Sequence, residues 1–396
     1  TVWDASDPGV LVTGGKTYLF GSNNNVLLPV RELSSFTGTF DASRAAWGST
    51  PRNALRQNPY WIDPDQPEIW APSPIKIRTR FFVFFAAHRR GARDRSNDQC
   101  IGRAIATAPM GPYTAEASPI YCGLPAEPGS NPWGRGALDP EVFRAPDGSL
   151  YLLVALSRTR DNIGVLRLTP DGKVVGGSNA RPAILASQRY AWHDGVDDRK
   201  LDATFLENPS MAYDKATGTY LLFYSAGDWR TSRYVTGFGR CATPTGPCAL
   251  DQRGPFLQQG SGRSGAGGLT VFKDPAGVLR VAYASWQAGQ ENAPSRDGVL
   301  SRHTTLARLV LSPGTDPAVQ TWGGPLHSQR NQRAAATGAT TAHTSSTTQA
   351  WPGTEPPPSA PWNTSASAPL GSAWATWRRP AGSSARGITM PLSRSS

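Results

Sequence analysis

Three carboxylates stand out by their surroundings. Asp7 precedes Pro8, Asp139 precedes Pro140, and Glu207 is followed by Asn208 and Pro209. Each group opens a run rich in β-branched and aromatic residues. The three acids lie far apart in the chain, so they matter chemically only if the fold brings them together. Carboxyls that meet in a concave site repel one another's charge, and at least one pKa then rises. One protonated and one ionised carboxyl supply a general acid and a general base. Hydrolysis of a glycosidic bond uses such a pair, one group to protonate the leaving oxygen and one to activate water or attack carbon. Taken singly, each acid would serve as well to cap a strand. At matched positions in a repeated unit they read as chemistry.

The repeated unit is a β-hairpin. Leu138–Ser157 reads LDPEVFRAPDGSLYLLVALS, with turn chemistry at Ala145-Pro146-Asp147-Gly148 between two apolar runs. Four further stretches share the pattern: Asp7–Ser22, Ala71–Ala86, Glu207–Ser225 and Val271–Ser285. The last aligns without gaps on Val142–Leu156. Turn centres at 14, 79, 148, 218 and 277 are 59 to 70 residues apart, a period that marks a repeat architecture. All-β units of this size predict a propeller, and five hairpins predict five blades. Gly102–Pro112 (GRAIATAPMGP) and Gly237–Pro247 (GFGRCATPTGP) repeat each other as well. Each is read as the third strand of its blade, ending in a Pro-x-Gly-Pro turn. The innermost strands of a propeller line its axis, so Asp7, Asp139 and Glu207 are expected at equivalent strand ends around one mouth.

The remaining chain is assigned around this frame. Blade one is read over 1–35, with its outer strands in Pro29–Phe40, followed by a long loop over 41–66. Blade two covers about 69–122, blade three about 137–185, blade four about 203–256 and blade five about 265–312. Leu306–Leu311 is expected as a closing strand. Gln188–Asp202, with Tyr190, Trp192 and His193 among several acids, has a composition suited to a cleft wall. After Trp322 the β period is lost, and Ala, Ser, Thr, Pro and Gly dominate. Residues 323–396 are therefore read as a low-complexity, disordered tail beyond a catalytic domain over 1–322. Trp351, Trp362, Trp374 and Trp377 have no strand context there, and Asn363-Thr364-Ser365 is a glycosylation sequon.

Composition narrows the class. The 396 residues suffice for a large core, and no run of eighteen apolar residues offers a membrane span. The net charge is +11, carried mostly by scattered arginines with six lysines. No helix-turn-helix or basic helix organises that charge, so nucleic acid is not an expected partner. The four cysteines flank the two Pro-x-Gly-Pro turns, which predicts disulfides Cys100–Cys122 and Cys241–Cys248 and an oxidising compartment. No cysteine or histidine cluster has zinc spacing. The chain starts at Thr1, read here as a processed N-terminus of a secreted protein.

DPGVLVTGGKTYLFGS, IWAPSP, LDPEVF, ENPSMAYDKATGTYLLFYS and GRCATPTGPC together resemble glycoside hydrolase family 43. The likeness runs over about residues 3–312 and through all five blades. It implies a five-bladed propeller that hydrolyses arabinose- or xylose-containing polysaccharide with inversion. By this resemblance Asp7 matches the general base, Asp139 the acid that tunes and orients, and Glu207 the general acid. Trp70 matches an aromatic beside the bound sugar, with blade-core packing as the alternative. Arg302 and His303 fall where the family places sugar- or ion-contacting groups, with ordinary core or surface roles as the alternative. Three positions depart from the pattern: Ser73 stands where Asp is frequent, Glu141 where Ser is common, and Asn208 where Gly is common. Glu141 is two residues from Asp139 and shares its strand face.

The reading is an inverting hydrolase of α-L-arabinofuranosyl linkages. A β-xylosidase, or an inactive propeller that binds glycan, is the alternative. No cofactor is required by the chemistry, and a calcium or sodium ion in the channel is left open. The expected partner is an oligo- or polysaccharide, acted on by a monomer with no membrane association.

Overall fold

The chain forms five β-sheets of consecutive strands around one axis. The computed structural model describes residues 6–22, 27–33, 52–91, 98–124, 136–156, 163–193, 205–258, 262–293 and 302–320, with the backbone of 326–327. Blade one comprises β1 (Gly9–Thr13), β2 (Lys16–Phe20), β3 (Pro29–Leu33) and β4 (Arg52–Asn53). Blade two holds β5 (Ile69–Ile77), β6 (Arg80–His88), β7 (Gln99–Ala106) and β8 (Thr114–Ala115). Blade three holds β9 (Ala137–Arg144), β10 (Leu150–Leu156), β11 (Ile163–Leu168) and β12 (Ala183–Ala186). Blade four is β13 (Leu206–Asp214), β14 (Thr219–Ala226), β15 (Val235–Cys241) and β16 (Cys248–Leu250). Blade five is β17 (Arg263–Lys273), β18 (Leu279–Gln287), β19 (His303–Val310), β20 (Ala318–Gln320) and β21 (Leu326–His327). The expected all-β, five-bladed propeller is therefore the observed fold.

All pairings within a blade are antiparallel, as short turns between consecutive strands require. The inner strands touch in the cyclic order β1, β5, β9, β13, β17 and back to β1, which closes the ring. Side chains fill the wedges between blades. Phe84, Leu152 and Leu156 pack blade two on blade three, for example, and Leu153 and Leu222 pack blade three on blade four.

Three details differ from expectation. Blade one reaches beyond residue 35, because Arg52–Asn53 pairs with Pro29–Val30 as its fourth strand. The segment 41–66 is thus partly strand, and Asn53 explains the local anchor: its Oδ1 accepts the N–H groups of Leu28 and Leu55. Leu306–Leu311 does not close the sheet. Leu306–Val310 belongs to β19, the third strand of blade five, and β20 and β21 lie outside it. The third difference is Tyr190–His193, which packs inward rather than forming an open wall. His193 is buried, with Nδ1 accepting the Tyr190 N–H and Nε2 3.2 Å from Tyr224 Oη, while Trp192 lies edge-on to its ring.

Both expected disulfides are present. Cys241 and Cys248 sit opposite each other on β15 and β16, and Cys100 on β7 joins Cys122 just beyond β8. Among the described residues no helix is long and apolar enough to cross a membrane. The chain divides into two units, Thr1–Thr341 and Ala342–Ser396. The second, with its tryptophans and sequon, lies outside the described residues.

Candidate active site

Each inner strand carries the same local irregularity, and that irregularity builds the site. Residues Asp7, Ala71, Asp139, Asn208 and Gly268 all have positive φ, between 45° and 63°. In β5, β9, β13 and β17 the position coincides with a break in register against the next strand, and Asp7 stands just before β1. A bulge of this kind turns the strand and re-aims its side chains. Asp and Asn tolerate positive φ better than most residues, and Gly adopts it freely. Ala71 is strained there.

The bulge residues face a cavity on the axis, with Pro8, Pro72, Pro140 and Pro209 beside them. Their backbone N–H groups stitch neighbouring blades. Ala71 donates to Ser22 Oγ, Asn208 to Asp139 Oδ2 and Gly268 to Ser225 Oγ, all at 2.8–3.0 Å. Asp7 and Asp139 are thus equivalent, as expected. Glu207 is not equivalent to them: Asn208 holds that position, and Glu207 is the residue before it, paired with Ser225. Its counterparts are Trp70, Leu138 and Gly267, each the last paired residue before the bulge.

The three carboxyls nevertheless act on one another, but from different environments. Asp7 Oδ2 accepts the Ser22 hydroxyl at 2.7 Å, and Asp7 Oδ1 lies 3.9 Å from Arg302 Nη1. Ser22 Oγ already accepts the Ala71 N–H, so its own proton is free for Asp7. Asp139 is enclosed, and burial followed by the charges of Glu207 and Asp7 pushes its pKa well above the usual carboxylate range. The Asn208 N–H opposes that rise. Glu207 keeps some surface open, yet desolvation pushes its carboxyl up to about 7. The hydroxyl of Tyr234, 2.7 Å from Glu207 Oε1, pulls in the other direction.

Arg302 is buried just ahead of β19, against the face of Tyr234 at 5.2 Å and of Trp286 at 6.0 Å. Trp70 is half-buried on β5, edge-on to His88 at 4.6 Å, whose Nδ1 lies 2.6 Å from the buried Asp98. His303, the first residue of β19, is half-buried opposite Ser285 and does not line the axial cavity. Of the six candidates, the structure draws Asp7, Asp139, Glu207 and Arg302 into one electrostatic group. Trp70 adjoins the bulge residue Ala71.

Glu141 lines the same cavity. Its two oxygens are 3.0 and 3.4 Å from the hydroxyls of Ser73 and Ser210. Those hydroxyl oxygens accept the N–H groups of Val142 and Val271, which leaves their protons for Glu141. Burial pushes the Glu141 carboxyl up to about 7. Each Glu141 oxygen thus has one serine hydroxyl beside it. Among the described residues no three His, Cys, Asp or Glu side chains are arranged to hold a metal.

Tyr234 and Trp286 were not singled out by sequence. Tyr234 ends the run Asp228–Tyr234, which has no hairpin pattern, and only contact with blade five shows its use. Trp286 Nε1 donates to the Trp229 carbonyl, and the two indoles stack at 6.3 Å with Trp229 38% exposed.

Glycoside hydrolysis is one reaction that can use a carboxyl with a raised pKa together with a second carboxyl beside a cation. Comparison with known proteins places the class. The profile of Glycosyl hydrolases family 43 matches residues 2–315, and the chain belongs to that family. No curated protein sequence matches the chain. Among solved structures, a thermostable family-43 glycoside hydrolase is similar with TM-score 0.60 and 22% identity, covering 82% of this chain and 94% of that one. An α-L-arabinofuranosidase from Lactobacillus brevis has TM-score 0.60 and 19% identity over 81% and 94%. An endo-1,4-β-xylanase from Bacteroides thetaiotaomicron has TM-score 0.58 and 20% identity over 81% and 95%.

Proposed function

We propose that this glycoside hydrolase cleaves α-L-arabinofuranosyl linkages with inversion, Glu207 acting as the acid and Asp7 as the base. The observation that carries the assignment is the split in environment between the two carboxyls. Asp7 lies 3.9 Å from the Arg302 guanidinium and accepts the Ser22 hydroxyl. Glu207 is desolvated and pushed up to about 7, so it holds a proton near neutral pH. Asp7 takes a proton from water as that water attacks the anomeric carbon. Glu207 gives its proton to the departing oxygen on the opposite side, and the product carries inverted configuration. Asp139 keeps the acid protonated by opposing a second charge beside it. Trp70 offers a flat apolar face next to the bulge of blade two for the sugar ring.

The arabinofuranosyl reading is supported by similar structures described as arabinofuranosidase and arabinanase. Xylosyl linkages are the second reading, supported by the similar xylanase. We assign the protein to an oxidising, extracellular setting because both cysteine pairs are bridged. A monomer without a required cofactor is sufficient for the steps above.

Proton NMR of the first product, taken before mutarotation, tests the stereochemistry: the inverted anomer is expected, and the retained anomer refutes it. Aryl α-L-arabinofuranoside and aryl β-D-xyloside, assayed side by side, decide the sugar. Roles separate by leaving group. Glu207→Gln is expected to lose several orders of magnitude on oligosaccharide and much less on a dinitrophenyl glycoside, whose phenolate departs without a proton. Asp7→Asn is expected to lose both activities together.

A further inference from the structure

Behind Glu207 lies a short relay of oriented hydrogen bonds. Asn208 Nδ2 is 2.8 Å from Tyr234 Oη, and Tyr234 Oη is 2.7 Å from Glu207 Oε1. An amide nitrogen can only donate, so Tyr234 accepts from Asn208 and turns its own proton toward Glu207. The ring of Tyr234 is fully buried and fixed from two sides. Arg302 lies over one face at 5.2 Å. On the blade-five side is Gly267, where a Cβ would come within 2.1 Å of the ring. Gly267 is thus a glycine because Tyr234 occupies its side-chain space.

We propose that Tyr234 is the positioning residue of the acid: its hydroxyl, oriented by Asn208, occupies Glu207 Oε1 and leaves Oε2 as the oxygen that delivers the proton. The inference rests on the assignment of Glu207 as the acid. Two consequences follow from the geometry. The carboxyl cannot rotate freely, so its proton is presented in one direction. As the proton leaves, the Tyr234 hydrogen bond strengthens toward the forming carboxylate, because a bond to a charged acceptor is stronger than one to a neutral acceptor. Tyr234 also supports Arg302, which lies 3.9 Å from Asp7, so one aromatic ring braces both ends of the reaction. Charged and titratable groups facing Glu207 besides Tyr234 are Asp7, Asp139, Arg302 and Asp228. Tyr234 is hydrogen-bonded to Glu207.

Tyr234→Phe keeps the ring under Arg302 and removes the hydroxyl alone. Loss of a hydrogen bond to the ionised form raises a carboxyl pKa. The alkaline limb of kcat/KM on oligosaccharide is therefore expected to move up by about one pH unit, a tenfold change in the acid's ionisation constant. The acidic limb should stay in place. Asn208→Ala, which leaves Tyr234 present but unoriented, is expected to shift the same limb in the same direction by less. If Tyr234→Phe does not fold, as judged by its thermal transition, Asn208→Ala alone decides. An alkaline limb that stays fixed or moves down overturns the proposal. Carbon-13 NMR titration of the Glu207 carboxyl, identified by its loss in Glu207→Gln, reads the same shift without turnover. That readout separates the two ideas. A raised Glu207 pKa in Tyr234→Phe upholds the relay even if the wild-type protein cleaves no glycoside, whereas an unchanged pKa overturns it even if the enzyme is active.

Discussion

The charge of Glu207 disfavours ionisation of Asp139 in a desolvated site, and a Coulomb repulsion between two carboxyls acts on both, so they titrate as a pair. The last proton of that pair is held more tightly than either carboxyl alone would hold it. Asp139→Asn removes the repulsion, so the alkaline limb of the pH–rate profile is expected to move to lower pH. An unmoved limb would assign Glu207's raised pKa to burial and to Asp7 and Asp228 rather than to Asp139. Glu141 makes a separate claim, on stability. Its carboxyl goes from an ordinary 4.5 to about 7 on folding, so the folded chain binds the proton more tightly than the unfolded chain. The corresponding contribution is present below about pH 4.5 and is lost as pH rises to about 7. The shift corresponds to roughly 3 kcal/mol. Glu141→Gln keeps a hydrogen-bonding group between Ser73 and Ser210 but cannot ionise. Its melting temperature is expected to exceed the parent's at pH 8 and to approach it at pH 5. A gap that does not change with pH would show that Glu141 stays protonated, or stays charged, throughout.

At the scale of the element, the inner strands carry the bulges that aim Asp7 and Asp139, and they approach closely. A Cβ on Gly9 of β1 would lie 1.9 Å from the Pro72 carbonyl oxygen of β5. Neither partner is a flexible side chain, so Gly9→Ala must push blade one away from blade two. Overpacking of this kind costs about 1–3 kcal/mol. The thermal midpoint should fall, and activity should fall with it, since Asp7 stands two residues away. A variant with unchanged stability would mean that the two bulges are not locked together. The bulges also explain why Asp-Pro marks the site. The positive-φ residue re-aims its side chain into the axis, and the proline beside it lines the wall.

For the whole molecule, the ring closes by packing of β17 on β1, and among the described residues no strand from the N-terminal region enters blade five. The last described strand that pairs is β21, beyond Trp322. A chain ended after Thr341 is expected to keep its thermal transition and its activity. Ending it after Trp322 removes β21 from the edge of blade five and should lower the midpoint. Equal midpoints for the two truncations would show that β21 contributes nothing to the blade.

What the sequence determined by itself was local. Hairpin turns such as Ala145–Gly148, the Pro-x-Gly-Pro turns and the cysteines beside them are chemistry among residues close in the chain, and each is present as read. Asp7 and Asp139 were legible for the same reason, since an acid before a proline at a repeated strand start is a local signature. Tertiary structure alone decided the rest. The offset of Glu207 from Asn208 depends on where the register of β13 breaks against β14, and both residues fit the same sequence pattern. Tyr234, Arg302 and Gly267 come from three separate segments of blades four and five. Their meeting depends on how closely two sheets pack around a closed ring, a distance that no single strand encodes.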